Sequence, residues 1–197
     1  MLPSACLVTS KPQIEQPRQT APFLVPASAD PDAREFIKLE GDSPITLFAD
    51  VVSEDGDRAV LSALYLDYGR QNPDLPDWPY TLAIQGNTFA AGTLADGPRR
   101  IHQTFIPSIY SVEPGCHTLT LVVSHEFEQV TSERYCPSSL ADSSQITWYL
   151  LKCSAPGNCP TIDLASEKQK CPVATVACPP KGGPGASIAS PGDAGAP

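Results

Sequence analysis

Apolar and polar residues begin to alternate with a repeat of two near residue 44. Residues 45–52 carry an apolar residue at every second position, which gives them one apolar face. In residues 116–124, Leu119, Leu121 and Val123 share one face, and Thr118, Thr120 and Ser124 occupy the other. Successive side chains of a strand point to opposite faces. The second segment therefore predicts an antiparallel strand with one dry face and one wet face.

Several further segments have the length and apolar content of strands. The chain has 22 prolines in 197 residues, which opposes extensive helix because proline breaks helix interiors. A Gly86-Asn87 pair separates two of the segments as a turn would. About seven short strands between turns are typical of a β-sandwich. The additional strand candidates are residues 60–68, 80–85, 88–94, 101–109 and 145–153.

One of these strands carries a family resemblance. Residues 114–123, Pro-Gly-Cys-His-Thr-Leu-Thr-Leu-Val-Val, resemble the penultimate strand of bacterial immunoglobulin-like domains, in which a Pro/Gly turn precedes a His-Thr-Leu-Thr motif. Tyr110 lies near the place where such folds keep a corner tyrosine. The usual disulfide between the sheets is absent, since no cysteine lies between Cys6 and Cys116. The resemblance implies an all-β, immunoglobulin-like antiparallel sandwich and carries no activity.

Composition divides the chain into four parts. Residues 1–43 are expected to be a lipobox-like segment and a proline-rich spacer, and 44–153 the sandwich. Residues 154–180 form a cysteine-rich extension, and 181–197 a low-complexity tail expected to be disordered. Within the spacer, the apolar residues 23–25 could dock as a first strand. Residues 33–39 fit either a helical turn or an edge strand.

Six of the seven cysteines lie in the C-terminal half and predict a disulfide framework formed outside the cytoplasm. Strand geometry favours a bridge between Cys116 and Cys153, at one end of a predicted hairpin. The spacings between neighbouring cysteines exceed those of knuckle-type zinc sites, so we expect no metal and no cofactor. The six disulfide candidates are Cys116, Cys136, Cys153, Cys159, Cys171 and Cys178.

The remaining cysteine suggests a lipid anchor. Leu2-Pro3-Ser4-Ala5-Cys6 resembles the end of a bacterial lipoprotein signal, which implies lipid attachment at Cys6. The alternative is an incidental thiol. No basic n-region and no apolar h-region precede this motif, and whether the true signal peptide lies upstream of Met1 stays open. The expected location is extracytoplasmic: the bacterial outer membrane or cell surface through the lipid, or the periplasm.

Charge and hydropathy exclude several partners. The net charge of −9 argues against nucleic acid, whose phosphates require clustered Lys and Arg. It also argues against docking on anionic lipid by charge. No apolar run approaches the about 20 residues that span a bilayer. We therefore expect contact with a membrane through a lipid anchor only.

No catalytic motif appears. His117 and His125 would lie at the two ends of one strand, about 26 Å apart at about 3.3 Å per residue, so they cannot share a site. These two and His102 are interpreted as capping or surface residues. Glu54-Asp55-Gly56-Asp57 could hold calcium, but a solvated turn is favoured because the spacing is too short for an EF-hand. We expect no catalytic, cofactor-binding or metal-binding residues.

A proline-flanked segment, residues 72–80, is the candidate binding loop, with Trp78 and Tyr80 as its aromatic anchors. The alternative is that both side chains plug one end of the sandwich. The predicted function is a non-enzymatic structural or protein-interaction module of the cell envelope, with an envelope protein or a surface glycan as partner. A carbohydrate-binding sandwich that stacks sugars on Trp78, Tyr80 and Trp148 is the alternative, and a small hydrolase is least favoured.

Overall fold

The computed structural model describes residues 20–72, 75–90, 97–131, 134–159 and 171, without the side chains of 69–85 and 129–135. The described residues form strands and two short 3-10 helices, Pro107–Tyr110 and Leu140–Asp142. None of them forms a helix long and apolar enough to cross a membrane. The strands are β1 (Phe23–Asp30), β2 (Phe36–Leu39), β3 (Ile45–Val52), β4 (Val60–Asn72), β5 (Leu75–Phe89), β6 (Arg99–Phe105), β7 (Gly115–Ser124), β8 (Phe127–Thr131), β9 (Arg134–Pro137) and β10 (Ser143–Lys152).

The strands build two packed sheets and a hairpin. One sheet has the order β1-β3-β6, and the other has the order β2-β10-β7-β4-β5. Pairing is antiparallel except between β2 and β10, which are parallel. Strands β8 and β9 pair only with each other. Three and five strands in this order make an immunoglobulin-like sandwich, which confirms the predicted fold class.

The core lies between the two sheets. Alternate residues of β3, β6, β7 and β10 face inward, because side chains of a strand alternate between faces. Trp148 of β10 is fully buried there, and its Nε1 donates a hydrogen bond to the carbonyl oxygen of Pro31 at 2.7 Å. This bond ties β10 to the segment between β1 and β2. The largest fully buried side chains are Trp148, Tyr65, Phe105, Leu24, Leu47, Leu64, Ile101, Leu119, Leu121 and Leu150.

Strand β7 differs from the prediction on one face. The expected wet face is buried as well: Thr118, Thr120 and Ser124 are all within the protein. A second apolar cluster on this side includes Val122 of β7 and Cys136 of β9, with Phe127 of β8 packed against it. The β8–β9 hairpin thus covers part of the outer face of the larger sheet. Polar residues remain there because they find partners, as when Thr120 and Thr147 hydroxyls meet at 3.0 Å.

Most predicted strands are confirmed, but the predicted strand 101–109 ends at Phe105 and is followed by the 3-10 helix Pro107–Tyr110. Residues 45–52, 116–124 and 145–153 correspond to β3, β7 and β10. The predicted turn at Gly86-Asn87 is wrong, because β5 runs straight through it. Gly86 and Asn87 pair with Ala63 and Ser62, since the long strand β4 needs a partner along its length.

The sandwich begins before residue 44. Strand β1 pairs with β3, as anticipated for residues 23–25. Residues 33–39 contain an edge strand, β2, and not a helical turn. The many prolines of this segment made both strands hard to predict. Both are edge strands, where proline does not interrupt the sheet ladder.

The predicted Cys116–Cys153 disulfide is wrong. Cys116 bonds to Cys171, and Cys153 bonds to Cys159. Cys116 lies opposite Leu151 in the β7–β10 register, so Cys153 is a diagonal neighbour two residues further along. Diagonal neighbours lie about 7–8 Å apart, which exceeds the usual disulfide span.

Gln103 is an anomaly of the core. It is 2% exposed between Ile101 and Phe105, and neither its Nε2 nor its Oε1 has a hydrogen-bond partner in the described part of the chain. Burial of unpaired polar atoms costs free energy. We expect Gln103→Leu to raise the free energy of unfolding by about 1 kcal/mol. Urea unfolding measures the change, and Gln145→Leu at an exposed position is the matched control. Equal effects of the two substitutions would contradict the prediction.

Tyr68 gives a second test of the packing. Burial raises the pKa of Tyr68 to about 12, because a buried phenolate is poorly solvated. Its ring lies 4.7 Å from that of Tyr65, measured between centroids. The unfolded chain releases this proton near pH 10. The free energy of unfolding should therefore fall as the pH rises from about 10 towards 12, and Tyr68→Phe should lessen that fall. Urea unfolding at a series of alkaline pH values measures both slopes, and identical slopes would count against the prediction.

Candidate functional site

The backbone of the predicted binding loop belongs largely to a strand, β5. Trp78 and Tyr80 belong to β5, and Tyr80 pairs with Arg70 of β4. Strand β5 is the last strand of its sheet, where proline is tolerated because one edge needs no ladder partner. The side chains of Trp78 and Tyr80 lie outside the described residues. Their role in binding therefore stays a prediction.

The predicted lipid-attachment and disulfide cysteines lie partly within and partly outside the described residues. Cys6 and Cys178 lie outside the described residues, so lipid attachment at Cys6 is untested. Cys136 is disulfide-bonded. Together with the two bridges above, this bears out the disulfide framework, although not the pairing expected for Cys116 and Cys153.

The three histidines have different surroundings. His102 on β6 is exposed and stacks on the ring of Phe48 at 5.1 Å, while the guanidinium of Arg100 lies 4.9 Å from the same ring. His117 and His125 are buried, so their interpretation as surface residues is wrong. They do lie at opposite ends of β7, as expected. Each has a carboxylate partner.

The first cluster, the His125 cluster, joins Ser53, Asp55, Arg58, His125 and Asp142 at one end of the sandwich. Ser53 follows the last residue of β3, and His125 follows the last residue of β7. Asp142 immediately precedes β10. Since the end of β7 pairs with the start of β10, His125 and Asp142 come together directly.

The geometry of this cluster is that of a Ser-His-Asp series. Nδ1 of His125 lies 2.7 Å from Oδ1 of Asp142. Nε2 of the same ring lies 3.1 Å from Oγ of Ser53. The side chain of His125 is 0% exposed, and that of Asp142 is 20% exposed. A base hydrogen-bonded to a hydroxyl and oriented by a third group is the arrangement that activates serine nucleophiles.

Asp55 and Arg58 surround this series with charge. The guanidinium of Arg58 lies 3.5 Å from Oδ2 of Asp142 and 3.9 Å from Oδ2 of Asp55. The backbone N–H of Asp55 donates to Oγ of Ser53 at 3.2 Å. Asp55 is only 8% exposed, so the acidic turn predicted to be solvated is partly buried. A cation from the protein already faces these carboxylates, which disfavours calcium here, and no metal-binding group of acidic, His and Cys residues occurs among the described residues.

The second cluster, the His117 cluster, joins Asp67, Glu113, His117 and Thr118 at the opposite end. Nδ1 of His117 lies 2.8 Å from Oδ2 of Asp67, and Nε2 lies 2.8 Å from the carbonyl oxygen of Glu113. The backbone N–H of Thr118 donates to Oδ1 of Asp67 at 2.9 Å. Because both ring nitrogens face acceptors, protonated imidazole satisfies both bonds.

Asp67 completes a sheet ladder. Pairing of β4 with β7 reaches Leu66, opposite Leu119, and the register of β4 is then interrupted. Asp67 adopts a left-handed backbone with φ 48°, which Asp tolerates better than most residues. Its carboxylate accepts a hydrogen bond from the backbone N–H of Thr118, the residue that precedes Leu119 in β7. This bond continues the pairing of the two strands by one residue.

Sequence reasoning missed both clusters because their members are far apart in the chain. His125 lies 72 residues from Ser53, and His117 lies 50 residues from Asp67. The available signal was positional: Ser53 and His125 each border a predicted strand, and Asp142 lies shortly before the predicted strand 145–153. Joining them required the strand pairing.

Comparisons with known proteins leave the function open. No protein-family model matches the chain, and no curated protein matches it. Among solved structures, the chain is similar to AggA, the major subunit of aggregative adherence fimbriae type I from Escherichia coli. That match has 13% identity, a TM-score of 0.29, and covers 59% of this chain and 87% of that chain. It is also similar to a chitin-binding domain from Burkholderia pseudomallei, with 8% identity, a TM-score of 0.30, and 60% and 57% covered respectively.

The role assigned to Asp67 can be tested by two substitutions at that position. Asp67→Ala removes both acceptors and places an ordinary residue in a left-handed conformation. We expect a loss of about 2–4 kcal/mol in the free energy of unfolding. Asp67→Asn keeps a carbonyl oxygen for Thr118 and tolerates the backbone, so its loss should be clearly smaller. Equal losses in urea unfolding would contradict the assignment.

Proposed function

We propose that this chain is a non-enzymatic module of the bacterial cell envelope, structural or protein-binding in role, and tethered through a lipid on Cys6. The observation that carries the proposal is the disulfide framework on an immunoglobulin-like sandwich. Disulfides persist outside the reducing cytoplasm. A sandwich of this kind supplies a stable body whose surfaces and loops contact other molecules.

The disulfides support a role in which stability matters more than motion. The Cys116–Cys171 bridge spans 55 residues and returns the C-terminal extension to the start of β7. The Cys153–Cys159 bridge closes a short loop directly after β10. Crosslinks of this kind stabilise a domain by about 2–4 kcal/mol each, mainly by restricting the unfolded chain.

Exposed apolar side chains support contact with another protein. Phe23 on β1 and Leu140 in a 3-10 helix are each 54% exposed. Both belong to the end of the sandwich that holds the His125 cluster, because Phe23 pairs with Val52 and Leu140 lies two residues before Asp142. Among the described residues, this end holds two of the three exposed large apolar side chains, the third being Ile109, and we take it as the docking surface.

The anchor is tested by the mass and location of the protein. Protein recovered from the native membrane fraction, without reduction, should carry a diacylglyceryl group on Cys6, lack residues 1–5, and have lost two hydrogens per disulfide. Cys6→Ser should move it to the soluble fraction. Cys159→Ser is the matched control, because it removes one cysteine and its disulfide with Cys153 but leaves the anchor, and it should stay with the membrane.

Two results would count against the proposal. One is an unlipidated, fully reduced chain that begins at Met1. The other is membrane association that is equal in Cys6→Ser and in the unchanged protein, since that would place the attachment elsewhere.

A further inference from the structure

Hydrogen bonding in the His125 cluster fixes which ring nitrogen can accept a proton. The carboxylate of Asp142 is an acceptor when ionised, so Nδ1 of His125, 2.7 Å away, donates to it. In the neutral ring, Nε2 is then the acceptor, and the group it faces is the hydroxyl of Ser53 at 3.1 Å. The hydroxyl proton of Ser53 thus points at a base. This tautomer is the one that a serine nucleophile requires.

The charged side chains around the ring support transfer of the Ser53 hydroxyl proton to Nε2 of His125. Arg58 lies 3.5 Å from Oδ2 of Asp142, so the carboxylate has a cation on the side away from His125. When His125 takes up a proton, Asp142 at 2.7 Å and Asp55 at 3.9 Å stabilise the imidazolium. Because the side chain of His125 is fully buried, these interactions are little screened by water.

A backbone donor is placed at the nucleophile itself. The N–H of Asp55 lies 3.2 Å from Oγ of Ser53. This hydrogen bond holds Oγ of Ser53 in place beside Nε2 of His125. The cluster therefore has a hydroxyl, a base, an orienting carboxylate and a donor that fixes the hydroxyl oxygen.

Access limits what can react. Ser53 is 3% exposed, so a large substrate does not reach it in the structure as it stands. Ser53 belongs to the loop between β3 and β4, in which Glu54, Gly56 and Asp57 are exposed. Reaction of Ser53 with even a compact electrophile therefore requires this loop to move.

We propose that Ser53 is a nucleophile, activated by His125 and oriented through Asp142, that reacts with small activated phosphoryl or acyl compounds. With a phosphorofluoridate, a bond forms between Oγ of Ser53 and phosphorus while the phosphorus–fluorine bond breaks. Fluoride leaves with the bonding electron pair, and the hydroxyl proton passes to Nε2 of His125. The proposal concerns one covalent substitution at Ser53, and its test is independent of the envelope role proposed above.

The test uses the full chain with its disulfides intact and diisopropyl fluorophosphate, chosen for its small size. Peptide mass spectrometry should find the adduct on Ser53. Ser53→Ala should abolish this adduct, and His125→Gln and Asp142→Asn should slow its formation at least about tenfold, since general-base help is worth about 10²–10⁴ in rate. Ser124→Ala is the matched control. Ser124 is fully buried and its Oγ donates to the carbonyl oxygen of Glu126, so its loss should leave the rate on Ser53 unchanged.

Near-ultraviolet circular dichroism and the disulfide map establish that each variant is folded. Asp142→Asn keeps the size of the side chain and an oxygen acceptor, so it preserves the comparison if His125→Gln does not fold. The absence of an adduct on Ser53 in the folded wild-type protein would overturn the proposal. So would an adduct that forms equally fast in Asp142→Asn or His125→Gln, or one that appears only after unfolding in urea.

Discussion

The pairing of β7 with β10 is the constraint on which the rest of the structure depends. The two strands pair in unbroken register from Ser124 opposite Ser143 to Gly115 opposite Lys152. Trp148 and Leu119 form one of these pairs, and both are fully buried between the sheets. Because the register is fixed along this whole length, whatever follows β7 at one end meets whatever precedes β10. At the other end the same register sets the distance between Cys116 and Cys153.

Each end of this pair is therefore a place where distant parts of the chain meet. At one end the register brings His125 to Asp142, and the loop after β3 adds Ser53 and Arg58. At the other end Cys116 and Cys153 lie too far apart to bond to each other, and each bonds to a residue of the C-terminal extension. The buried apolar side chains thus fix the register of β7 and β10. The register then determines which hydrogen bonds and which disulfides form at the ends of these strands.

The alternation of apolar and polar residues was enough to predict the sandwich and the positions of β3, β7 and β10. It could not predict that β7 is buried on both faces, because the β8–β9 hairpin that covers Val122 is inserted between β7 and β10. The Gly86-Asn87 pair has the composition of a turn, but pairing with β4 outweighs that local preference. The contacts of Ser53 and Asp67 could not be predicted from the sequence for another reason. They depend on which strand ends become neighbours, and a pattern of period two carries no such information.

The two histidines at the ends of β7 have different hydrogen-bond partners and therefore different roles. His117 and His125 have the same parity as Leu119, Leu121 and Val123, so both continue the face that lies between the sheets. A polar ring at such a position is tolerated only when its nitrogens are hydrogen-bonded. His117 meets acceptors at both nitrogens, so it links Asp67 of β4 to the carbonyl oxygen of Glu113. His125 meets an acceptor at one nitrogen and a hydroxyl at the other, and that hydroxyl can give up a proton. The same strand therefore ends in a histidine that serves as a structural link and in one that retains the capacity to act as a base.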